Sequence, residues 1–294
     1  MPFVWRSLLY VPANNSRFID KAHSRGADAI ILDLEDSVPQ HERKRARNML
    51  NLSVAQAGQN DADILVRINR SEQGFCEDLD AAIIPGVSAL MLPKVENAEE
   101  VCKLAEKVTQ LEAKRGINSG DISFVVMIES PAALLKVNEI VSAHPRIIAA
   151  ILGSEDFATA TGMMPDPETL FLPKMLVLYA ARAANIIPLG MIGTVADFKD
   201  LNVVRENIRR SKKFGFEGAS CIHPSVVPIL NKEMTPSSEE IKKAERIVDA
   251  YANAEKAGLG AITIDGMMID VPVVDRAKAV LSRHAYICSK EKLK

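Results

Sequence analysis

The chain of 294 residues is short of several things, and each shortage excludes a class of function. It has four cysteines, Cys76, Cys102, Cys221 and Cys288, far apart and with no C-x-x-C pair. Neither a disulfide framework nor a thiolate metal cage is expected, and the thiols are read as reduced. It lacks a charge imbalance: 36 basic against 38 acidic residues leave a net charge of -2, so no broad positive field exists for nucleic acid. No apolar run reaches the ~18 residues of a membrane span. The opening "MPFVWRSLLYV" is broken by Arg6 and carries neither an h-region nor a cleavage site, so a cytoplasmic protein is expected. No G-x-G-x-x-G follows the first apolar run, which argues against a dinucleotide fold. There is no internal repeat and no low-complexity segment. The eleven methionines are scattered and read as core filling.

What is present is an alternation. Short apolar runs occur at 7–11, 29–34, 64–68, 89–92, 124–128, 147–152, 186–192 and 218–222. Unbroken rather than alternating apolarity suits strands buried on both faces of a parallel sheet. Amphipathic stretches separate them. In "NAEEVCKLAEKVTQLEAKRG" the apolar positions Val101, Leu104, Ala105, Val108 and Leu111 repeat at helical spacing up to Gly116. The stretches 166–185 and 197–215 read the same way, each opening on an aspartate that can cap it. Eight strand–helix units over roughly 225 residues match a (β/α)8 TIM barrel. An open doubly wound sheet is the rival. The barrel is placed at residues 1–234, with a C-terminal helical extension at 235–294: a long helix over 237–258, a glycine-rich break, a short turn and a second helix. The extension is too small for a core of its own and is expected to pack on the barrel or on a neighbouring subunit.

In such a barrel the chemistry sits where the strands end. The second run ends in Asp33, Glu35 and Asp36, the third in Arg67 and Asn69, the fourth in Lys94 and Glu96, the fifth in Glu129, the sixth in Glu155 and Asp156, and the eighth in His223. Carboxylates crowded this closely repel unless cations compensate. Oxygen donors without a His–Cys cluster favour Mg²⁺, which takes one or two protein carboxylates. Glu129 and Asp156, on adjacent strands, are the expected metal pair. Arg67 is expected to fork onto a substrate carboxylate. Plainer roles compete. Asp36 reads as a cap for the next helix and is left out of the site. Lys94 and Glu96 read equally well as a rim ion pair. His223, next to Pro224, reads as structural.

Nine segments together carry a family resemblance: "RSLLYVPANNSRFIDKA", "GADAIILDLEDSV", "VRIN", "LPKVENAEEV", "IESPAAL", "GSEDFA", "AARAANI", "GFEGASCIHP" and "GLGAITIDGMMIDVPVVDRAKAVLSR". In order and spacing the chain resembles the citrate lyase β-subunit-like family of the HpcH/HpaI aldolase superfamily. The resemblance implies a (β/α)8 barrel, commonly trimeric, that binds Mg²⁺ and cleaves or forms a C–C bond β to a thioester carbonyl. Citryl, malyl and citramalyl thioesters are its substrates; an acyl thioester such as acetyl-CoA and a 2-oxo acid are its products. It also implies roles. Glu129 and Asp156 would hold the metal, with Glu129 also at the substrate. Arg67 would hold the oxo-acid carboxylate, and Glu35 would sit beside the metal's waters. Asp270 would reach a neighbour's site as the catalytic acid/base. Arg17 and Lys21 would contact the CoA phosphates and ribose. On the residues alone, Asp270 beside Pro272 reads as a turn former, and Arg17 and Lys21 read as surface charges.

Two positions depart from that pattern. Asn15 stands where an arginine is common, which bears on the CoA phosphates. Ile192 stands where relatives carry an aspartate after the seventh strand, which bears on the acyl pocket. Two further readings stay open: the β subunit of a citrate lyase complex acting on a carrier-protein thioester, and a non-catalytic acyl-CoA-binding homologue.

Overall fold

In the computed structural model, which describes residues 3–70, 72–196, 198–256 and 258–291, the apolar runs form eight parallel strands. They are β1 (Ser7–Pro12), β2 (Ala29–Asp33), β3 (Asp63–Arg67), β4 (Val87–Leu92), β5 (Ser123–Ile128), β6 (Ile147–Leu152), β7 (Ile187–Leu189) and β8 (Ala219–Cys221). Neighbours follow sequence order, and β1 pairs with both β2 and β8. A parallel bridge between Leu189 and Gly218 brings the last edge in, and the Gly190 N–H donates to the Gly218 carbonyl at 2.8 Å. The order excludes the doubly wound alternative: this is a (β/α)8 barrel. Closure demands a glycine at 218, because a Cβ there would collide with the Trp5 carbonyl oxygen. All six residues of β5 are buried, as expected of a strand covered on both faces.

The connecting helices are α1 (Ser16–Ala22), α2 (Arg43–Ala57), α3 (Glu72–Ala82), α4 (Ala98–Lys114), the short α5 (Pro131–Leu135) and α6 (Val137–Val141), α7 (Ser154–Thr161), α8 (Phe171–Ala183), α9 (Leu201–Phe214) and α10 (Val227–Met234). Asn97 caps α4 by accepting from the Glu100 N–H, and Glu99 and Glu100 add favourable charge in the first turn. Two helix starts differ from the sequence expectation. Asp166 accepts from the Glu168 and Thr169 N–H groups in a turn, and α8 begins later, at Phe171. For α9 the cap is Asp200, which accepts from Asn202 and Val203; Asp197 lies outside the described residues. The seventh strand is also shorter than its apolar run. The chain turns away at Gly190, where φ is 148°, and Gly190 and Met191 line a cavity instead.

The chain divides into two compact units, Trp5–Met234 and the described residues from Thr235 onward with Phe3 and Val4. The second unit holds α11 (Ser238–Lys256), β9 (Ile262–Ile264), β10 (Met267–Ile269) and α12 (Val271–Glu291). A capping box starts α11: Ser237 Oγ accepts from the Glu240 N–H, and the Glu240 carboxylate accepts from the Ser237 N–H. Its small core gathers Ala244, Ile247, Ile269, Val274 and Ala277. The glycine-rich break and turn expected here are an antiparallel hairpin. Asp265 and Gly266, with φ of 50° and 78°, supply the two left-handed residues that a tight hairpin turn requires. No helix among the described residues is long and apolar enough to cross a membrane.

Candidate functional site

At the C-terminal ends of the strands lies a cavity of about 280 Å³, and Arg67, Glu129 and Asp156 all line it. Each arrives on a different element. Arg67 ends β3, Glu129 follows β5, and Asp156 sits in the first turn of α7, just after β6. Glu35, two residues beyond β2, lies beside them at 4% exposure. The four barrel residues expected in the site are therefore brought together.

Arg67 is held more tightly than the sequence suggests. Its Nε and Nη2 donate to Asp33 Oδ1 and Oδ2, both at 2.7 Å, a side-on bidentate pair. Nη1 lies 3.0 Å from Glu35 Oε2 and 3.3 Å from Asp36 Oδ2. The guanidinium also sits over the Tyr10 ring, 4.9 Å from its centroid. Burial pushes the Asp33 carboxyl upward. The Arg67 fork and charge, with the Ser37 hydroxyl and the Glu35 N–H, outweigh that and hold it below the usual carboxylate range. The fork expected to meet a substrate is thus already filled on one edge. Asp36 is not a helix cap: α2 begins at Arg43 with no side-chain cap, and Asp36 lines the cavity against Arg67.

Lys94 is not half of a rim pair with Glu96. Its Nζ donates to Glu35 Oε1 at 2.7 Å, and its backbone N–H donates to Glu129 Oε2 at 2.7 Å. Both reaches depend on a left-handed backbone, φ 51°, that a non-glycine residue seldom adopts. Glu96 instead accepts from the Ser130 hydroxyl at 3.0 Å.

Glu129 is a strongly perturbed acid of the site. Burial, then the charges of Asp156 and Glu35, push its carboxyl up to about 8. Burial likewise raises Glu35, against the pull of Arg67 and Lys94. Glu35 Oε2 is buried and makes no hydrogen bond. At Gly153 any Cβ would strike the Glu129 carboxylate, so the backbone leaves room for that side chain and nothing more. A buried carboxylate oxygen that meets Arg67 Nη1 as an ion pair but makes no hydrogen bond, mutually repelling carboxylates and an all-oxygen donor set fit a hard divalent cation. No cage of three or more His, Cys, Asp or Glu converges among the described residues. A pair of carboxylates, with water and substrate completing the shell, is what Mg²⁺ accepts.

Lys174 was not foreseen. It lies on α8 at 4% exposure, and Nζ donates to the Met191 and Gly193 carbonyls at 2.7 Å each. Burial lowers its ammonium to about 7. Its signal in the sequence is faint: a lysine set among apolar neighbours in "FLPKMLV".

Other expected residues fall elsewhere. Ile192 is fully buried, its N–H donating to Ser211 Oγ at 2.7 Å, and it does not face the cavity; Gly190 and Met191 do. Asn15 caps α1 by accepting from the Phe18 N–H, and Arg17 and Lys21 stand exposed on that helix, outside the cavity lining. His223 stacks on Phe198, ring centroids 4.9 Å apart, and its Nδ1 meets Ser225 Oγ at 2.7 Å. Asp270, in the second unit, is half-buried and caps α12 by accepting from the Val273 N–H at 3.4 Å.

Comparison with known proteins gives a consistent result. The model of the family described as HpcH/HpaI aldolase/citrate lyase matches residues 6–224. Over 282 residues the chain is 33% identical to citrate lyase subunit beta of Escherichia coli K12, covering 95% of this chain and 92% of that one. Over 283 residues it is 31% identical to (3S)-malyl-CoA thioesterase of Cereibacter sphaeroides, covering 95% and 94%. Among solved structures, protein CitE of Mycobacterium tuberculosis in complex with magnesium, acetoacetate and coenzyme A matches with a TM-score of 0.75 at 27% identity, covering 96% of this chain and 98% of that one.

Proposed function

The chain belongs to the HpcH/HpaI aldolase/citrate lyase family, and from that premise we propose a Mg²⁺-dependent carbon–carbon lyase. It cleaves a 3-hydroxyacyl-CoA thioester of the malyl, citramalyl or citryl type into an acyl-CoA, such as acetyl-CoA, and a 2-oxo acid. The observation that carries the reading is the crowding of Glu129, Asp156 and Glu35 at one end of the barrel. Glu129 is pushed up to about 8 there, and Glu35 Oε2 is left without a hydrogen bond.

In this reading Glu129 and Asp156 would hold Mg²⁺, with Glu35 beside them; when bound, it would supply positive charge that eases ionisation of the substrate hydroxyl. Arg67 receives the carboxylate of the leaving oxo acid. Asp33 braces its far edge, and Asp36, 53% exposed, can yield the Nη1 position. Asp270 takes the hydroxyl proton as the C–C bond breaks, and a proton returned to the enolate carbon completes the acyl thioester. We assign Asp270 to a neighbour's site within a homotrimer, and Arg17 and Lys21 to the CoA phosphates.

The test is a panel of malyl-, citramalyl- and citryl-CoA assayed with Mg²⁺ for release of the oxo acid. Release that stops with chelator is expected; no release from any of them overturns the reading. Mixing Asp270→Asn with Glu129→Gln protein tests the shared site. Partial recovery of activity is expected, and none would remove the cross-subunit role. The similarity to a citrate lyase β subunit supports a second reading, action on a carrier-protein thioester within a complex. Activity on that thioester, with none on free CoA thioesters, would select it. The similarity to a malyl-CoA thioesterase motivates assaying free thiol in parallel.

A further inference from the structure

The cavity sorts its charges unevenly. Asp33, Asp36, Glu129, Glu155 and Asp156 bring five carboxylates to its lining. The lining cations among the described residues are Arg67 and Lys174, and both are committed. Arg67 forks onto Asp33 and lies against Glu35 and Asp36. Lys174 holds the carbonyls of Met191 and Gly193, two residues buried on the loop after β7. Diverting its ammonium to a ligand would strip both carbonyls of their partner. Much of the remaining wall is apolar: Met127, Ile151, Leu152, Met191, Val195 and Ile222.

The three candidate thioesters share a hydroxyl, a carboxylate and a thioester arm. They differ in the fourth group on the carbinol carbon: hydrogen in malyl, methyl in citramalyl, carboxymethyl in citryl. The shared carboxylate meets Arg67 and the cation. With Asp33 matched by Arg67, and Glu129 and Asp156 by the cation of the lyase reading, Asp36 and Glu155 still line the cavity against the second negative charge of a carboxymethyl group, and no lining cation among the described residues is uncommitted. A buried carboxylate without a partner is strongly disfavoured, whereas a methyl group is at home against methionine and isoleucine.

We infer that this site selects a hydroxyacyl thioester whose carbinol carbon carries hydrogen or a small alkyl group, and so releases a monocarboxylic 2-oxo acid rather than a dicarboxylic one. The inference rests on the lyase reading for the identity of the ligand. It runs against the simplest extrapolation from the citrate lyase relative, and it can be tested without turnover.

Calorimetric titration of the full chain with Mg²⁺ compares pyruvate, 2-oxobutyrate and oxaloacetate. The last two share a four-carbon chain and differ in the second carboxylate. Pyruvate and 2-oxobutyrate are expected to bind at least 10-fold tighter than oxaloacetate. Oxaloacetate binding equally or more tightly, or no saturable binding of any of the three, overturns the inference. Ala196→Arg places a cation on the cavity wall, with Val195→Lys as the alternative should that protein fail to fold. Either is expected to shift the preference toward oxaloacetate by 10-fold or more; an unchanged preference overturns the charge argument. In the thioester panel the kcat/KM of citramalyl- or malyl-CoA is expected to exceed that of citryl-CoA by 100-fold. A citryl preference overturns this inference and leaves the lyase reading standing. Cleavage of none overturns the lyase reading, while the oxo-acid binding order still decides this one.

Discussion

Glu112 and Glu129 are the same residue at similar burial, 0% and 4% exposed, on opposite ends of the barrel. Glu112 accepts from Arg146 at 2.8 and 2.6 Å and from the Gly120 and Ile122 N–H groups. Burial raises its carboxyl, yet these partners hold it below the usual range. Glu129 has one backbone donor and two acidic neighbours, and it is pushed up to about 8. The rest of each end follows suit. Where the strands begin, Arg6 forks onto Asp28 at 2.8 and 2.9 Å, and Trp5 Nε1 donates to Asp63 at 2.8 Å. Where they end, carboxylates outnumber cations. Burial is common to both ends; what separates a scaffold from a reactive site is whether each buried charge has been matched.

That contrast can be broken at either end. The largest effect is expected from Glu129→Gln or Asp156→Asn, which should lower Mg²⁺-dependent turnover by roughly 10⁴-fold, ~5 kcal/mol, without loss of fold by circular dichroism. Full activity of either variant under chelator would remove the metal assignment. At the other end, Arg6→Ala takes the guanidinium fork away from the buried Asp28 carboxylate, and urea titration should show a loss of about 3–5 kcal/mol. Glu129→Gln should lose none without metal, since it removes a repulsion. If the two variants destabilise alike, the distinction between the ends fails. Gly153→Ala should displace the Glu129 carboxylate and cost roughly 10²-fold in activity, with weaker Mg²⁺ binding by calorimetry.

The smallest effect concerns Lys174. Unfolded, its ammonium titrates near 10.5; folded, near 7. Between those values the unfolded chain binds more protons, so stability rises with pH, by at most ~1.4 kcal/mol per unit. Below about 7 the penalty of burying the ammonium is fully present. Lys174→Met should flatten that rise in urea titrations across the window; an unchanged slope would place its titration elsewhere.

Much of the barrel was legible because a doubly covered parallel strand is an unbroken apolar run, a local property. The acids and Arg67 at the strand ends were legible for the same reason: they interrupt those runs. Lys94 was not, since its role hangs on a left-handed φ and on two carboxylates from other strands. Ile192, expected to bear on the acyl pocket, is buried away from the cavity, because Gly190 turns the chain before Ile192 is reached and Met191 lines the cavity instead. The hairpin in the second unit was readable and was missed: "ITIDGMMI" carries the Asp-Gly turn signal between two short apolar runs.

The sequence by itself determined which segments are strands and which kinds of donor stand at one end of them. Side-chain period and composition are written along the chain. Only the tertiary structure decided who meets whom: Arg67 with Asp33, 34 residues away, and Glu129 with the N–H of Lys94, 35 residues away. A carboxyl group's proton affinity depends on distances in space and on exclusion of water. Both come into being when the barrel closes.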